Sequence, residues 1–297
     1  MTYTTTTITT NKTNMSGNGI ANGSGRRPRI ILIGGAEIFI QNRPLGQLQF
    51  GSENPGTISI DCTGQAWRIA HDLLSKDFEV MFVSVAGNDF AGQAMKARLQ
   101  EVGASVDHFH LVEGKDTAAK HEILNLLDQP EMEFENDEVF SQLTTDMIDQ
   151  AANDMETGDC VVVETRFPEA VIHHIVKTLS HLPILLCPMS EWNAERAKGV
   201  LGSVKGLLVG RRQAEVLSGL SILSEPELQK AAAWFFDTGV EQVFFDLGFG
   251  GMYYKDILEE GAQRPGPANL ATVVAGFASG QPAALTVSKA IEKQGGE

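Results

Sequence analysis

The 297-residue sequence has little that would suggest a membrane, a disulfide framework or a nucleic-acid partner. Its three cysteines are widely separated, at positions 62, 160 and 187, so they form neither a disulfide pattern nor a zinc-binding spacing. No apolar run approaches the ~18 residues of a membrane span. Lysine and arginine total 23 against 38 acidic residues, and the net charge of -15 argues against nucleic-acid or anionic-membrane partners. The composition predicts a soluble cytoplasmic protein.

The first 27 residues differ in composition from the rest of the chain. They are rich in Thr, Asn, Ser and Gly and carry few apolar residues. Such a segment cannot bury enough surface to offset the entropy lost on ordering. We therefore predict a disordered tail over residues 1–27 and one folded domain over residues 28–297.

From residue 29 onward, apolar segments of strand length alternate with segments of helical periodicity. Continuous apolar strands that alternate with helices are typical of a parallel sheet covered by helices on both faces. The predicted strands are 30–33, 80–85, 160–163, 184–186, 206–209 and 242–245, and the predicted helices are 66–74, 91–102, 169–180, 211–217 and 226–237.

Two other segments, roughly 39–60 and 107–140, do not follow this pattern. The second alternates short apolar and polar pieces around an Asp-Gln-Pro turn at 128–130. This suits exposed antiparallel strands better than a crossover helix. We expect the two segments to form a small β lid over the carboxyl edge of the main sheet.

Four segments carry recognisable motifs: 31–36 (ILIGGA), 52–56 (SENPG) with the later Gly64, 85–93 (VAGNDFAGQ), and 214–219 (AEVLSG) through to 246–254 (DLGFGGMYY). In this order they resemble the PfkB carbohydrate-kinase family, of ribokinase type, and within it the pseudouridine kinases. The resemblance covers roughly residues 29–290. It implies a ribokinase-like α/β fold, a three-layer αβα sandwich with a central mostly parallel sheet and a small β lid. It also implies ATP and Mg²⁺ as cofactors, a nucleoside or sugar as substrate, and a homodimer formed through the lid.

The family's phosphoryl-transfer motif is a G-A-G-D element at a helix N-terminus. Its glycine amides bind phosphate charge and its Asp takes a proton from the substrate hydroxyl. The segment 273–277 resembles the helix that follows, which aligns the motif with Ala268, Asn269, Leu270 and Ala271. Alanine cannot accept a proton, and no Asp or Glu lies between Gly261 and Lys289. The resemblance therefore implies a catalytic position without its base.

The resemblance also implies positions in the substrate pocket, at Glu37, Phe39, Gly64 and Arg68, and at the nucleotide site, at Gly210, Gln213, Glu215, Gly248 and Gly251. The family's glycines are retained at 64, 248 and 251, but several polar positions are altered. Phe39 replaces a carboxylate that would bind sugar hydroxyls, and Arg68 replaces an amide. Gln213 is a weak Mg²⁺ ligand because this ion prefers charged oxygens. We expect ATP and Mg²⁺ to bind weakly or not at all.

Three functions remain open at this point. Losing a general base typically lowers a rate by about 10²–10⁴, which favours a pseudokinase that binds a ligand or a partner. The second is an active but divergent sugar or nucleoside kinase that uses Glu37 or Asp246 as its base. The third is a structural or interaction protein that dimerises through its lid.

Overall fold

The computed structural model describes residues 26–263 and 266–292. The tail predicted over residues 1–27 lies outside these ranges except for Arg26 and Arg27, which form ion pairs with Asp159 and Asp77. Within the described ranges, no helix is long and apolar enough to cross a membrane.

Nine strands of the described chain form a central sheet. They are β1 (Arg29–Ile33), β4 (Glu79–Gly87), β5 (Phe109–Val112), β8 (Cys160–Glu164), β9 (Ile184–Cys187), β10 (Gly206–Gly210), β11 (Gln242–Asp246), β12 (Met252–Lys255) and β13 (Glu260–Gln263). Their order is β13-β12-β11-β10-β9-β8-β1-β4-β5. All neighbours from β11 to β5 are parallel, and the β12–β13 hairpin adds an antiparallel edge. Each of the six predicted strands is present, with ends within two residues of those predicted.

Helices cover both faces of this sheet. They are α1 (Gln65–Ser75), α2 (Phe90–Glu101), α3 (Thr145–Met155), α4 (Glu169–Thr178), α5 (Glu191–Ala194), α6 (Arg211–Ser218), α7 (Glu225–Asp237), α8 (Leu270–Ala278) and α9 (Ala283–Glu292). Strand β1 shows the layering, because Ile31 and Ile33 pack toward α3, α4, α6 and α7, whereas Ile30 and Leu32 pack toward α1, α2, α8 and α9. This arrangement confirms the predicted three-layer αβα sandwich.

Four further strands form a separate sheet, which we call the lid sheet. They are β2 (Glu37–Pro44), β3 (Gly56–Thr63), β6 (Ala119–Leu124) and β7 (Pro130–Asn136), in the order β3-β2-β6-β7. The two outer pairs are antiparallel, but β2 and β6 are parallel rather than antiparallel. The segment 107–140 is also divided, because β5 pairs with β4 in the central sheet and its Phe109 is buried there.

Side-chain caps fix several helix ends. The carboxylate of Asp89 accepts a hydrogen bond from the Gly92 amide at the start of α2, and Ser224 forms a capping box with Glu227 at the start of α7. The C-cap of α6 is Gly219, whose φ of 71° lies in the left-handed region that glycine tolerates. These capping residues are of the types that commonly begin and end helices.

Candidate functional site

The candidate site lies at the carboxyl edge of the central sheet. Helices α1 and α8 both begin near this edge, and β11 ends there at Asp246. A cavity of about 350 Å³ lies between them, lined by Gln65, Arg68, Ile69, Asp72, Asp246, Ala268, Asn269, Leu270 and Ala271. The structure thus brings Arg68 together with all four positions aligned to the family's catalytic motif. The position of the cavity agrees with the usual location of ligands in open α/β sheets.

The start of α8 presents a positive helix end to this cavity but no carboxylate of its own. Asn269 is the N-cap, and its Oδ1 accepts hydrogen bonds from the backbone N and the hydroxyl of Thr272 at 2.9 and 3.0 Å. Asp72 of α1 and Lys76, which follows α1, also contact Asn269. Its Oδ1 accepts from Lys76 Nζ at 3.1 Å, and its Nδ2 donates to Asp72 Oδ2 at 3.0 Å. Ala271, one residue into the first turn, is 1% exposed. The helix end can attract an anion, but it holds no proton acceptor at position 271.

Two carboxylates do reach the cavity, from Asp72 and Asp246. Asp72 is engaged with Asn269, as described above. Asp246 Oδ1 accepts a hydrogen bond from the backbone N of Gly248 at 2.9 Å, which closes the turn after β11. The sequence offers two candidates for a relocated base, Glu37 and Asp246. Asp246 lines the cavity and Glu37 does not.

Glu37 instead belongs to a buried ionic cluster between the two sheets. Its Oε2 accepts a hydrogen bond from Arg166 Nη1 at 2.8 Å, and Arg166 Nε lies 3.7 Å from Glu164 Oε2. Glu164 also accepts hydrogen bonds from the backbone N of Gly35 at 2.7 Å and of Ala66 at 2.9 Å. Burial raises the pKa of Glu164, and Arg166 and the two amides oppose that rise. Although burial also disfavours a charged guanidinium, the two carboxylates raise the pKa of Arg166.

Glu164 and Arg166 are not among the site residues predicted from the sequence. The available signal was a carboxylate at the end of an otherwise apolar strand, since a buried charge requires a partner. The sequence does not show which cation that partner would be.

The remaining substrate-pocket positions have mainly structural roles. Gly64 is the N-cap of α1 with a φ of 116°, and a Cβ there would lie 2.7 Å from the carbonyl oxygen of Gly35. Glycine is therefore required for the close approach of α1 to the turn after β1. Phe39 lies in β2 opposite Asp61 of β3 and does not line the cavity.

The predicted nucleotide positions lie around the ends of β10 and β11. Gly210 is the N-cap of α6, and Gly248 and Gly251 have φ values of 59° and 90° in the turn that follows β11. Gln213 Nε2 donates to the carbonyl of Met189 at 3.1 Å, and Glu215 Oε1 accepts from the backbone N of Ile222 at 2.7 Å. One atom of each polar end is thus engaged with the backbone. Among residues 26–263 and 266–292, no group of three or more His, Cys, Asp or Glu is placed to hold a metal.

The family model for the "pfkB family carbohydrate kinase" matches residues 64–285. The chain belongs to the PfkB family. This match includes α1, the cavity and the glycine turn after β11, and it confirms the family predicted from the four motifs.

The chain is also similar to individual kinases and to solved kinase structures. Pseudouridine kinase of Escherichia coli (strain K12) is 25% identical over 231 residues, which are 78% of this chain and 74% of that protein. A carbohydrate kinase from Agrobacterium tumefaciens has a TM-score of 0.77 at 17% identity, covering 88% of this chain and 87% of its own. Ribokinase from Arabidopsis thaliana, complexed with ribose and ATP, has a TM-score of 0.75 at 16% identity, covering 89% and 90%. The predicted ribokinase-like fold is therefore confirmed.

Proposed function

We propose that this PfkB-family chain is a catalytically impaired homologue of sugar and nucleoside kinases that binds a small polyhydroxylated ligand at the carboxyl edge. The observation that carries the proposal is Ala271, a buried residue in the first turn of α8 that lines the cavity without offering a proton acceptor. Phosphoryl transfer needs a base on the hydroxyl and stabilisation of the phosphate charge. Here the N-terminal end of α8 can stabilise phosphate charge, but the family position of the base holds Ala271.

The chemistry of the cavity supports a polar, uncharged ligand. Its wall offers donors from Arg68 and Gln65 and acceptors from Asp72 and Asp246, which together match the hydroxyl groups of a ribose or a pyranose. ATP is expected to bind weakly, since the Gln213 and Glu215 side chains are engaged with backbone groups. The PfkB relatives named as pseudouridine kinase and ribokinase make nucleosides and sugars the first ligands to test.

A phosphorylation assay tests this proposal against the active alternative. The full chain is incubated with ATP, Mg²⁺ and, in turn, pseudouridine, other nucleosides and simple sugars. We expect turnover no higher than the uncatalysed background. Robust turnover that Asp246→Asn abolishes, and that Asp237→Asn at the exposed end of α7 leaves intact, would establish an active kinase with a relocated base. Asp237 is a suitable control because it is exposed and does not line the cavity.

A thermal-shift screen with the same compounds tests ligand binding separately from catalysis. A ligand that binds only the folded state raises the melting temperature by linkage. We expect stabilisation by at least one nucleoside or sugar and its loss in Arg68→Met, with Arg43→Met as the control on the distant lid. If no compound stabilises the chain and none is phosphorylated, the ligand-binding proposal is wrong. Self-association through the lid sheet, argued below, is then the remaining candidate function.

A second candidate function, self-association through the lid sheet, is supported by the distribution of exposed apolar side chains. In the described ranges, 15 large apolar side chains are exposed, and eight of them belong to the lid strands or their loops. These eight are Leu45, Phe50, Ile58, Ile60, Leu126, Leu127, Met132 and Phe134. Large contiguous apolar patches are rare on the surfaces of soluble monomers, and they commonly mark interaction sites.

The strand pairing places four of these side chains on one face of the lid sheet. One row across the strands contains Ile60, Ile40, His121 and Phe134, and the next contains Ile58, Asn42, Ile123 and Met132. Neither row has an Asp, Glu, Lys or Arg. In a chain with a net charge of -15, this face is a place where two copies can meet without bringing carboxylates together.

Sedimentation analysis of the full chain tests the lid proposal. We expect a dimer that Ile60→Asp converts to monomer, because the new carboxylate would be desolvated in the contact. Ser59→Asp is the matched control. Ser59 is next to Ile60 in β3, so its side chain points to the opposite face of the lid sheet. A wild-type monomer at micromolar concentration, or an Ile60→Asp variant that remains dimeric, would contradict the proposal.

A further inference from the structure

Arg166 connects the central sheet to the lid sheet through side chains that belong to both. Its Nη1 contacts Glu37, the first residue of β2, and its Nε faces Glu164, the last residue of β8. The charge of Glu135 on β7 also acts on Arg166. We propose that Arg166 is an ionic latch that holds the lid sheet in one orientation over the carboxyl edge.

The backbone that carries the latch is rigidly held. Arg196 Nη1 donates to the carbonyl oxygens of Arg166 and Phe167 at 2.7 and 3.1 Å. The preceding residue, Thr165, donates from its hydroxyl to Asn193 Oδ1 at 2.8 Å. Phe167 is fully buried. The segment after β8 therefore presents the Arg166 side chain from a fixed position, as a latch requires.

The space around the Arg166 side chain is shaped to it. A Cβ on Gly35 would lie 2.9 Å from Arg166 Cδ and 2.7 Å from Phe140 Cζ, so only glycine leaves room for the arginine stem. The guanidinium carbon lies 5.3 Å from the centre of the Phe140 ring, at cation–π distance. The side chain is 10% exposed. It is thus enclosed between the turn after β1, the lid and the segment that follows β7.

Charge repulsion explains why removing the Arg166 side chain would release the lid sheet. Glu37 and Glu164 are both buried, and Arg166 is the cation that faces them both. Without it, two carboxylates from different sheets would face each other with little water to screen them. Removing one partner of a buried ion pair leaves an uncompensated buried charge, which is strongly unfavourable. Separation of the lid is the movement that would return Glu37 to solvent.

The same cluster reaches the cavity through Glu164. The carboxylate that faces Arg166 also holds the backbone N of Ala66 in the first turn of α1. That turn carries Gln65 and Arg68 into the cavity wall. The orientation of the lid and the shape of the cavity are therefore joined by one continuous set of contacts, from Glu37 through Arg166 and Glu164 to α1.

Hydrogen exchange measured by mass spectrometry on the full chain tests the latch. In Arg166→Met, which keeps the aliphatic stem, amide exchange in β2 and β3 should accelerate by about tenfold or more while exchange in β8, β9 and β10 stays unchanged. Arg43→Met is the matched control, because it removes an exposed ion pair with Asp128 at the far end of the lid. It should leave exchange at the start of β2 as in the wild type.

Glu37→Gln provides an independent variant in case Arg166→Met fails to fold. It removes the lid side of the ion pair while leaving Arg166 and Glu164 in place, and the same strands should exchange faster. Unchanged exchange in β2 with either variant would overturn the latch. So would an equal acceleration in all strands, since that outcome would give Arg166 only a general role in stability.

Discussion

Thr117 donates two hydrogen bonds to the carboxylate of Asp89, from its hydroxyl to Oδ1 at 2.6 Å and from its backbone N to Oδ2 at 2.8 Å. The same carboxylate accepts from the Gly92 amide at the start of α2. One side chain therefore fixes both a helix start on the central sheet and the segment that leads into lid strand β6.

The first prediction concerns the pH dependence of this contact. Burial of Asp89 favours the protonated acid, but its hydrogen bonds outweigh that effect and hold the pKa below its ordinary value of 3.8. The ionised group therefore stabilises the fold above that value, and its contribution is lost as the pH falls through the lowered pKa. We expect Asp89→Asn to reduce the free energy of unfolding by about 1 kcal/mol at neutral pH. Urea denaturation from neutral to strongly acidic pH measures it.

In that series, the difference between wild type and Asp89→Asn should shrink toward zero on the acid side. Asp237→Asn, at an exposed position, is the control and should behave like the wild type throughout. A stability difference that is the same at every pH would show that the charge of Asp89 is not responsible.

The second prediction concerns the contact between α8 and α9. A Cβ on Gly276 would lie 2.5 Å from Thr286 Oγ1 and 2.7 Å from its Cγ2. Gly276→Ala should therefore lower the free energy of unfolding by about 1–3 kcal/mol through overpacking. Adding Thr286→Ala should restore part of that loss, because it removes both crowding atoms and a buried hydroxyl without a hydrogen-bond partner. Gly46→Ala, where nothing lies within 4 Å, is the control. Additive losses in the double variant would contradict the packing explanation.

The third prediction concerns thiol reactivity. Cys160 and Cys187 are buried and Cys62 is partly exposed on the lid sheet. Burial raises the pKa of all three thiols, so little thiolate forms at neutral pH. A thiol reagent should modify only Cys62 in the folded chain, more slowly than a free cysteine, and all three after unfolding. Cys62→Ser should abolish the reaction of the folded protein, and rapid modification of that variant would contradict the assignment.

The fourth prediction concerns the N-cap of α8. Asn269→Ala removes the acceptor for Thr272 together with the bonds to Asp72 and Lys76. We expect a loss of about 1–2 kcal/mol in the free energy of unfolding, measured by chemical denaturation. Asn269→Ser retains a capping oxygen and should lose less. Equal stability of the alanine variant and the wild type would show that the cap contributes nothing.

The main strands could be predicted from the sequence because they are buried on both faces. Residues 160–163 form a continuous apolar run, which indicates a central parallel strand. Strand β5 was not predicted in the central sheet because Phe109–Val112 alternates like an exposed strand and lies at the sheet edge. The sequence does not predict the β12–β13 hairpin either, because residues 252–254 read as the end of the glycine-rich motif 246–254.

The candidate site could be predicted in part. Motif alignment places Ala268–Ala271 and Arg68 together, and the structure brings these positions to one cavity. It does not bring Glu37 or Phe39 there. The cluster of Glu37, Glu164 and Arg166 could not be predicted, because its hydrogen bonds join residues that are about a hundred or more positions apart. Pairing of buried charges depends on the folded arrangement, which no local pattern records.

The hydrogen bonds of Glu164 to Gly35 and Ala66 have a consequence for how this family can diverge. Both donors are backbone amides, which every residue except proline supplies whatever its side chain. Side chains along the first turn of α1 could therefore drift over evolutionary time while the helix stayed anchored to the end of β8. A scaffold anchored in this way can lose one set of chemical groups, or acquire another, without first having to be rebuilt.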